Sequence, residues 1–330
     1  MTERKLRFLS AADVVRALPM KDAVEAMRDA FRQLSTGKAV MPPRTQIEAA
    51  EPSGDALFMP SYIPGVCRIG IKIVTLFGGN AALGLPRLQA LMVVLDAATG
   101  SPLAVMDGTS LTAIRTGAAS GVATDLLARP DAAVAAVFGA GPQARTQLAG
   151  VCAVRPIRRA RIFDVSAERA RAIAREMAEE LGIQVEAAAS PSEAMAGADV
   201  VCTATTASEP VFADGDVAPG THINAVGSYK PGVREIPAET VRRARVVVDH
   251  LPAALAEAGD LIIPMNQGLI GKGHVYAELG ELLAGVKKGR ESPDEITLFK
   301  SVGVAVQDLA AADLVLAAAE RLNLGTELAL

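Results

Sequence analysis

Cysteine and histidine are scarce in this chain of 330 residues, with three of each. Cys67, Cys152 and Cys202 are an odd number and lie far apart in apolar segments, which is typical of reduced core thiols in a cytosolic protein. The histidines have no cysteine or carboxylate at a spacing typical of metal ligands. We therefore expect a cytoplasmic protein without a metal site.

Clusters of basic residues and long apolar runs are also missing. A net charge of −4 without a basic cluster argues against a nucleic-acid partner. No stretch of about 18 apolar residues is free of charges and helix breakers, and the N-terminal MTERKLRFLS has no apolar signal-peptide core. We expect no membrane partner, so the partners should be a small molecule or another copy of the chain.

A glycine-rich turn follows an unbroken apolar run, AAVAAVF, at residues 132–138. The run predicts a strand buried on both faces, and GxGxxA before a helical pattern predicts a dinucleotide-binding βαβ unit. Gly139 allows the tight turn, Gly141 lets backbone N–H groups approach a pyrophosphate, and Ala144 lets the helix lie close to the strand. The expected cofactor contacts in this turn are Gly139, Ala140, Gly141, Pro142 and Gln143.

An acidic residue follows this turn at a suitable distance. Residues 159–163 predict a second strand, and Asp164 comes 25 residues after Gly139 (164 − 139). At that spacing a carboxylate can accept from both ribose hydroxyls of NAD, whereas it repels the 2′-phosphate of NADP. We expect NAD, with NADP left open because Arg169 could reach a phosphate. The alternative is a glycine turn in another kind of α/β domain, followed by a surface aspartate.

The hydrophobic pattern changes along the chain. Between residues 39 and 105, short β runs broken by Pro and Gly predict a small antiparallel sheet or an open barrel. An Ala- and Gly-rich helix is expected at 110–129, with Thr109 or Ser110 as its cap. Beyond it strands alternate with helices, which predicts an α/β fold with a doubly wound, Rossmann-type parallel sheet. The expected strands are 133–139, 159–164, 184–188, 198–203, 221–226 and 244–248, and a last helix is expected at 303–322.

Several short motifs together resemble the ornithine cyclodeaminase/mu-crystallin family, and the likeness runs nearly end to end. The motifs are Met41-Pro-Pro-Arg44, Gly70-Ile-Lys72-Ile-Val, Leu111-Thr-Ala-Ile-Arg115-Thr116, the turn at 139–144, Thr221-His-Ile-Asn-Ala-Val-Gly227 and Ser301-Val-Gly-Val-Ala-Val-Gln-Asp308-Leu. The resemblance implies a homodimer with NAD(P)-dependent chemistry on small amino or imino acids. It also implies that a nucleotide domain, residues 116–303, is inserted into a smaller α+β substrate and dimerisation domain, formed by residues 1–115 and 304–330.

Three basic residues in these motifs are candidates for binding a substrate carboxylate. Paired arginines hold a desolvated carboxylate well, and Arg44 and Arg115 are the candidates. Lys72 lies centrally in a hydrophobic strand, so its ammonium is either functionally placed or exposed at a sheet edge. From its context alone, each of the three could also be a surface charge. The family resemblance places all three at the substrate as catalytic residues, where Lys72 could bind the carboxylate and orient or protonate the reacting centre.

The resemblance predicts further contacts in loops of the second region. For the cofactor these are Arg115, Thr116, Thr203, Thr205, Val226, Gly227 and Ser301, and for the substrate Tyr229 and Val302. Tyr229 departs from the family pattern, because the cyclodeaminases carry an acid/base aspartate there. A phenol holds its proton at neutral pH and is a poor substitute for a carboxylate base, so ornithine cyclisation is not expected. The loop Gly227-Ser-Tyr229-Lys-Pro-Gly resembles that of the ketimine reductases of the family.

The function expected from these residues is reduction of a small cyclic imino acid with a nicotinamide cofactor, such as Δ1-pyrroline-2-carboxylate to L-proline. This reaction needs a hydride donor, a carboxylate clamp and one proton source. An alanine-type amino-acid dehydrogenase and a residual ornithine cyclodeaminase are enzymatic alternatives. A non-catalytic, mu-crystallin-like protein that binds cofactor and a small acid is an alternative of another class.

Overall fold

The computed structural model describes residues 5–51 and 53–330, which form two compact units. The first unit is Met1–Arg115 with Val304–Leu330, and the second is Thr116–Gly303. The strands are β1 Lys5–Leu9, β2 Thr45–Ala49, β3 Gly54–Ile63, β4 Arg68–Leu76, β5 Leu88–Asp96, β6 Pro102–Asp107, β7 Val134–Phe138, β8 Arg159–Phe163, β9 Gln184–Ala187, β10 Val200–Thr203, β11 His222–Ala225, β12 Arg245–Val248, β13 Val275–Glu278, β14 Thr297–Lys300 and β15 Thr326–Ala329. The helices are α1 Ala11–Ala17, α2 Met20–Ser35, α3 Gly108–Leu127, α4 Pro142–Val154, α5 Ala167–Leu181, α6 Pro191–Met195, α7 Ala238–Arg243, α8 Leu251–Glu257, α9 Gly259–Asn266, α10 Leu279–Leu283 and α11 Ala305–Leu322.

The first unit is built on an open sheet that is almost entirely antiparallel. Among the described residues, the strand order is β15-β1-β6-β5-β4-β3-β2, and only β1 and β6 pair in parallel. The antiparallel sheet expected for the N-terminal region is confirmed. Helix α11 packs on α2 and on the central strands β3, β4 and β5, so one face of this sheet is covered.

Residues of β4 alternate between the two faces of this sheet, as the pleat of a strand requires. Gly70, Lys72 and Val74 are buried on the face covered by helices, while the isoleucines of β4 lie on the other face. A Cβ added to Gly70 would lie 2.7 Å from Cδ1 of Leu309, so glycine lets α11 lie close to the sheet. The neighbouring Lys72 is therefore covered by the same helix.

The second unit is built on a parallel sheet with the order β13-β12-β14-β11-β10-β7-β8-β9. The chain runs outward from β7 through β8 to β9 and then returns to β10, on the other side of β7. The direction of winding therefore reverses at β7, which is where sheets of this kind bind ligands. The predicted doubly wound, Rossmann-type parallel sheet is confirmed.

Two strands of this sheet, β13 and β14, were not predicted. The stretch from 259 to 298 gives few signals of regular structure, yet β14 lies between β11 and β12 near the middle of the sheet. All four residues of β14 are buried, although Lys300 is charged. A carboxylate of Asp260, 2.8 Å from the ammonium of Lys300, compensates this charge. β14 could not be predicted from apolar runs, because a buried lysine interrupts its apolar pattern.

Helix α3 begins two residues earlier than predicted. Asp107 supplies the capping side chain, because its carboxylate accepts the N–H of Ser110 at 2.7 Å. Thr109 instead accepts the N–H of Ala90 at 3.1 Å. The prediction of Thr109 or Ser110 as the cap is therefore wrong, since the acid of the preceding strand performs that role.

Two glycines let the later part of α3 pack tightly on α4. A Cβ on Gly117 would lie 2.1 Å from the carbonyl oxygen of Thr146, and one on Gly150 would lie 2.1 Å from that of Gly117. Any larger residue at either position would separate the helices. This contact holds α4, the helix that begins at the glycine turn, against the second half of α3.

Candidate active site

Lys72 lies on the buried face of β4, an interior strand that pairs with both β3 and β5. Its register partners are Met59 and Met92, and the residue is only 2% exposed. The ammonium lies 3.0 Å from Oδ1 and 2.9 Å from Oδ2 of Asp308. The alternative of a lysine exposed at a sheet edge is therefore wrong.

Arg115 meets the same carboxylate from α3. Its Nε donates to Oδ1 of Asp308 at 2.9 Å, and its Nη1 donates to Oε1 of Gln307 at 2.8 Å. That amide oxygen also accepts the N–H of Val304 at 2.9 Å, which fixes its position. Arg115 is buried, so the surface-charge alternative is wrong for this residue as well. The first turn of α11 thus holds Lys72 and Arg115 together.

Asp308 and Gln307 were not predicted as site residues. Both are fully buried on α11 among apolar neighbours such as Val306 and Leu309. An acid on the apolar face of a helix is the sequence signal that could have identified Asp308, because an unpaired buried carboxylate is costly. The Nε2 of Gln307 has no hydrogen-bond partner within the described part of the chain. A ligand oxygen would satisfy this buried donor.

The electrostatics of this cluster favour an anion. Burial is the main reason why the pKa of Lys72 is lowered to about 8; the carboxylate of Asp308 raises it, and the charges of Arg115 and Arg44 lower it. Arg44 is half-buried directly before β2, and its effect on Lys72 places it in the same electrostatic environment. The two buried cations, Lys72 and Arg115, share the single carboxylate of Asp308, which leaves a formal charge of about +1 (2 − 1). Such a buried surplus suits a small carboxylate.

The glycine turn of the second unit has the geometry of a phosphate cradle. Gly139 has a φ of +105°, and a Cβ there would lie 2.6 Å from the carbonyl oxygen of Ala204, so only glycine fits. Gly141 is the N-cap of α4, makes no side-chain cap, and has open space where its Cβ would be. A groove of about 260 Å³ lies beside it, lined by residues that include Arg145 and Arg169. The N-terminus of α4, which carries the positive end of the helix dipole and has no side-chain cap, therefore suits a dinucleotide pyrophosphate.

Asp164 braces this turn from the residue after β8. Its Oδ2 accepts the N–H of Ala140 at 2.9 Å, and its Oδ1 accepts the N–H of Ser166 at 2.8 Å. Arg169, whose side chain is mostly exposed, also donates to Oδ1 at 2.9 Å. The acid thus lies directly beside the phosphate cradle. Its contact with a ribose remains a prediction.

The other predicted cofactor residues lie at the carboxyl edge of the parallel sheet. Thr203 ends β10, Val226 follows β11 and Ser301 follows β14. The hydroxyls of Thr203 and Thr205 donate to the carboxylate of Glu235 at 2.9 Å and 2.7 Å. Both hydroxyls are thus used within the protein, and Glu235 is a residue of this edge that the sequence did not reveal.

Four further predicted contacts lie in the second unit. Gly227 and Tyr229 belong to the loop after β11, where Tyr229 is half-buried. The N–H of Val302 donates to Oδ2 of Asp249 at 2.9 Å, which fixes the loop after β14. Thr116 is buried on α3. The contacts of these four residues with cofactor or substrate remain predictions.

Residues 5–51 and 53–330 contain neither a metal-binding cluster nor a helix that could cross a membrane. No group of three or more His, Cys, Asp or Glu side chains there is arranged to hold a metal ion. None of the helices in these ranges has the length and apolarity needed to cross a membrane.

The sequence model of the Ornithine cyclodeaminase/mu-crystallin family matches residues 4–322. The chain belongs to this family. Among its relatives, a Δ1-pyrroline-2-carboxylate reductase of Bacillus cereus is 39% identical over 302 residues, which are 91% of this chain and 93% of the relative.

Solved structures of other family members have the same fold. The Δ1-pyrroline-2-carboxylate reductase of Thermococcus litoralis, in complex with NADH and L-proline, is 46% identical with a TM-score of 0.94, over 97% of this chain and 99% of that one. An archaeal alanine dehydrogenase dimer with bound NAD is 37% identical with a TM-score of 0.92, over 98% of this chain and 99% of that one. Both branches of the family are therefore close to this chain.

Proposed function

We propose that this protein reduces a small cyclic imino acid with NADH, and that Δ1-pyrroline-2-carboxylate, which yields L-proline, is a substrate. The observation that carries the proposal is the buried cluster in which Lys72 and Arg115 share Asp308. A carboxylate substrate compensates the surplus positive charge of this cluster. The Bacillus and Thermococcus relatives, which are reductases of this imino acid, support the same choice.

The cofactor is assigned to the second unit. The 139–143 turn and the N-terminus of α4 hold the pyrophosphate, and Asp164 faces the adenosine ribose. The carboxyl ends of β10, β11 and β14, on the β10 side of β7, would then hold the nicotinamide half. Bound NADH supplies the hydride. The NADH and NAD of the solved relatives support this choice of cofactor.

The substrate is assigned to the first unit. Arg44 and Arg115 bind the carboxylate, and the unsatisfied Nε2 of Gln307 can donate to one of its oxygens. Lys72, with its pKa near 8, carries a proton at neutral pH and can release it to the substrate nitrogen. The carbon of the C=N bond gains a hydride and the nitrogen gains this proton, which leaves a CH–NH bond. Asp308 orients Lys72 for the transfer.

An alanine-type dehydrogenase is the second candidate function. The archaeal alanine dehydrogenase is 37% identical to this chain, and a carboxylate clamp would hold an acyclic amino acid equally well. Tyr229 disfavours cyclodeamination, because it replaces the carboxylate that such chemistry needs. A protein that only binds its ligand would need a cation here, but it would not need one whose pKa lies close to neutral pH.

A homodimer belongs to the proposal as well. Phe8, Val105, Val93 and Ile71 form a cross-strand row on the uncovered face of the first-unit sheet. Phe8 is 46% exposed, and other apolar side chains of β4 and β5 surround this row. Apolar patches of this kind mark association surfaces. A second copy of the chain would cover the face, and the dimeric alanine dehydrogenase supports this arrangement.

The low reactivity of two of the thiols supports a location in the cytoplasm. Burial raises the pKa of Cys152 and of Cys202 to about 12, so neither forms a reactive thiolate. Cys67 is exposed, so the expectation of a core thiol is wrong for this residue. The two shielded thiols are suited to a reducing environment and have no role in the proposed reaction.

The decisive experiment measures NADH oxidation by the purified protein with a panel of substrates. The panel contains Δ1-pyrroline-2-carboxylate, the corresponding six-membered imine, and pyruvate with ammonia. Turnover of the cyclic imines, with little on pyruvate and ammonia, supports the proposal. The opposite preference identifies an alanine dehydrogenase. Cofactor binding without turnover of any of them identifies a binding protein.

A further inference from the structure

A fully buried carboxylate, that of Glu235, ties two loops together at the carboxyl edge of the parallel sheet. Its Oε1 accepts the N–H and the hydroxyl of Thr205, each at 2.7 Å. Its Oε2 accepts the hydroxyl of Thr203 at 2.9 Å and the N–H groups of Gly227 and Ser228 at 2.8 and 3.1 Å. All five contacts come from donors, so the carboxylate form satisfies every one of them.

A second buried pair fixes the position of Glu235. Oδ1 of Asp260 accepts the N–H groups of Glu235 and Ile236 at 2.7 and 3.0 Å. Its other oxygen lies 2.8 Å from the ammonium of Lys300, which also donates to the carbonyl oxygen of Ser228. Glu235 therefore holds the loop after β11 through its N–H groups, and Lys300 holds the same loop through a carbonyl oxygen. Burial and the charge of Asp260 raise the pKa of Glu235, and the charge of Lys300 opposes them.

These contacts lie where the nicotinamide half of the cofactor is assigned. Thr203 ends β10 and Gly227 follows β11. On the side of β7 away from Asp164, β10 is the first strand and β11 is the second. The loop that Glu235 holds leads directly to Tyr229. The pyrophosphate and adenosine positions depend on the turn after β7 and on Asp164. Within residues 5–51 and 53–330, neither of them forms a hydrogen bond with Glu235.

We propose that Glu235 is a positioning residue that fixes the two loops flanking the nicotinamide, without touching cofactor or substrate itself. The proposal rests on the proposed function for the identity of the cofactor. This role explains why the buried carboxylate accepts hydrogen bonds from the hydroxyls of Thr203 and Thr205, which are then not available to a ligand. Because the adenosine half is held elsewhere, loss of Glu235 should affect the two halves of the cofactor differently.

The test compares two ligands by calorimetric titration of the intact protein: NADH, and ADP-ribose, which lacks the nicotinamide. In Glu235→Gln, one acceptor oxygen becomes an N–H₂ group that faces donors. We expect its affinity for NADH to fall by about tenfold or more. Its affinity for ADP-ribose should fall by a clearly smaller factor, because the glycine turn makes no hydrogen bond to Glu235 and only packs against the neighbouring Ala204.

Asp199→Asn is the matched control. Asp199 accepts the N–H groups of Ala133 and Val134 at 2.8 and 3.0 Å, at the amino end of the same sheet. It makes the same kind of contact, so the variant should lose stability while the ratio of NADH to ADP-ribose affinity stays native. Thr203→Val, which removes one of the five donors to Glu235, carries the same test if Glu235→Gln does not fold. It should lower NADH affinity selectively, by a smaller factor.

Native NADH affinity in the folded variant, or an equal loss for both ligands, would overturn the proposal. These titrations need no substrate. Failure of the native protein to reduce cyclic imines, with NADH affinity intact, therefore contradicts the proposed function alone. Imine reduction by the native protein, with an unchanged affinity ratio in Glu235→Gln, contradicts only the role of Glu235.

Discussion

The ammonium of Lys72 contacts the carboxylate of Asp308 at 2.9 Å, although 236 residues separate them in sequence. Arg115 binds the same carboxylate, so a single acid orients two of the cations assigned to the substrate. Removal of one partner from such a buried group typically costs about 3–5 kcal/mol of stability. Asp308 therefore fixes the position of Lys72 and favours its protonated form, against the effect of burial.

The rate of imine reduction should depend on the charge of Lys72. Because the pKa of Lys72 is about 8, we expect kcat/KM for imine reduction to fall as the pH rises through about 8. Oxidation of L-proline needs the neutral amine, so its kcat/KM should rise over the same range. Asp308→Asn should move both transitions to lower pH, because Asp308 raises this pKa. Flat profiles in both directions between about pH 7 and 9 would exclude Lys72 as the proton carrier.

The guanidinium of Arg115 should matter through its shape as well as its charge. Arg115→Lys loses the planar donor pair that contacts Asp308 and Gln307. We expect kcat/KM to fall by about 30-fold or more. This corresponds to a loss of about 2 kcal/mol in transition-state stabilisation, which is typical of a broken buried charged contact. Arg68→Lys is the control, since Arg68 pairs with Asp313 elsewhere in the same unit. Near-native kinetics in a folded Arg115→Lys variant would remove this residue from the site.

Ornithine should not be a substrate. The family resemblance implies that Tyr229 replaces the carboxylate of a cyclodeaminase, so incubation of the protein with ornithine and NAD should give no appreciable proline or ammonia. Tyr229→Asp restores the carboxylate, and we expect it to gain at most a trace of this activity. Amino-acid analysis of both reactions checks the prediction. Robust turnover of ornithine by the native protein would contradict the assignment to the reductase branch.

Cofactor preference should depend on Asp164. Its carboxylate repels a 2′-phosphate, so the native protein should use NADH in preference to NADPH. Asp164→Ser removes the repulsion and frees Arg169, so the ratio of the two kcat/KM values should approach unity. Arg169→Ala in that background should then weaken NADPH selectively. Tight NADPH binding and poor NADH binding by the native protein would show that Asp164 does not face the ribose.

The parallel sheet could be predicted where the sequence carries its local signals. β7 and its glycine turn are marked by an apolar run and two glycines, and β8 ends directly before an acid. β14 has no such mark, because Lys300 interrupts its apolar character and Asp260, 40 residues earlier (300 − 260), compensates the charge. A pairing between distant residues cannot be read from a window of neighbours.

The cationic half of the candidate site could be predicted, and its acidic half could not. Arg44, Lys72 and Arg115 occur in recognisable motifs, and the structure places them in one electrostatic environment. Asp308 also lies in one of these motifs, but nothing there identifies its partners, and Glu235 lies in none. Only the fold brings the donors to these two acids. Side chains that act by organising other side chains leave little trace in local sequence patterns.

The position of β14 has a consequence for the order of events during synthesis. A nascent chain that stops before residue 297 lacks the strand that joins β11 to β12, so β12 and β13 have no place on the sheet. In the same way β1, which pairs with β6 on one side, gains its second partner β15 only after residue 326 has been made. Long-range pairing of this kind is slow, and the ribosome adds only about 5–20 residues per second. Both sheets must therefore wait for the C-terminal segment, and folding of each is completed only after translation of the strand that closes it.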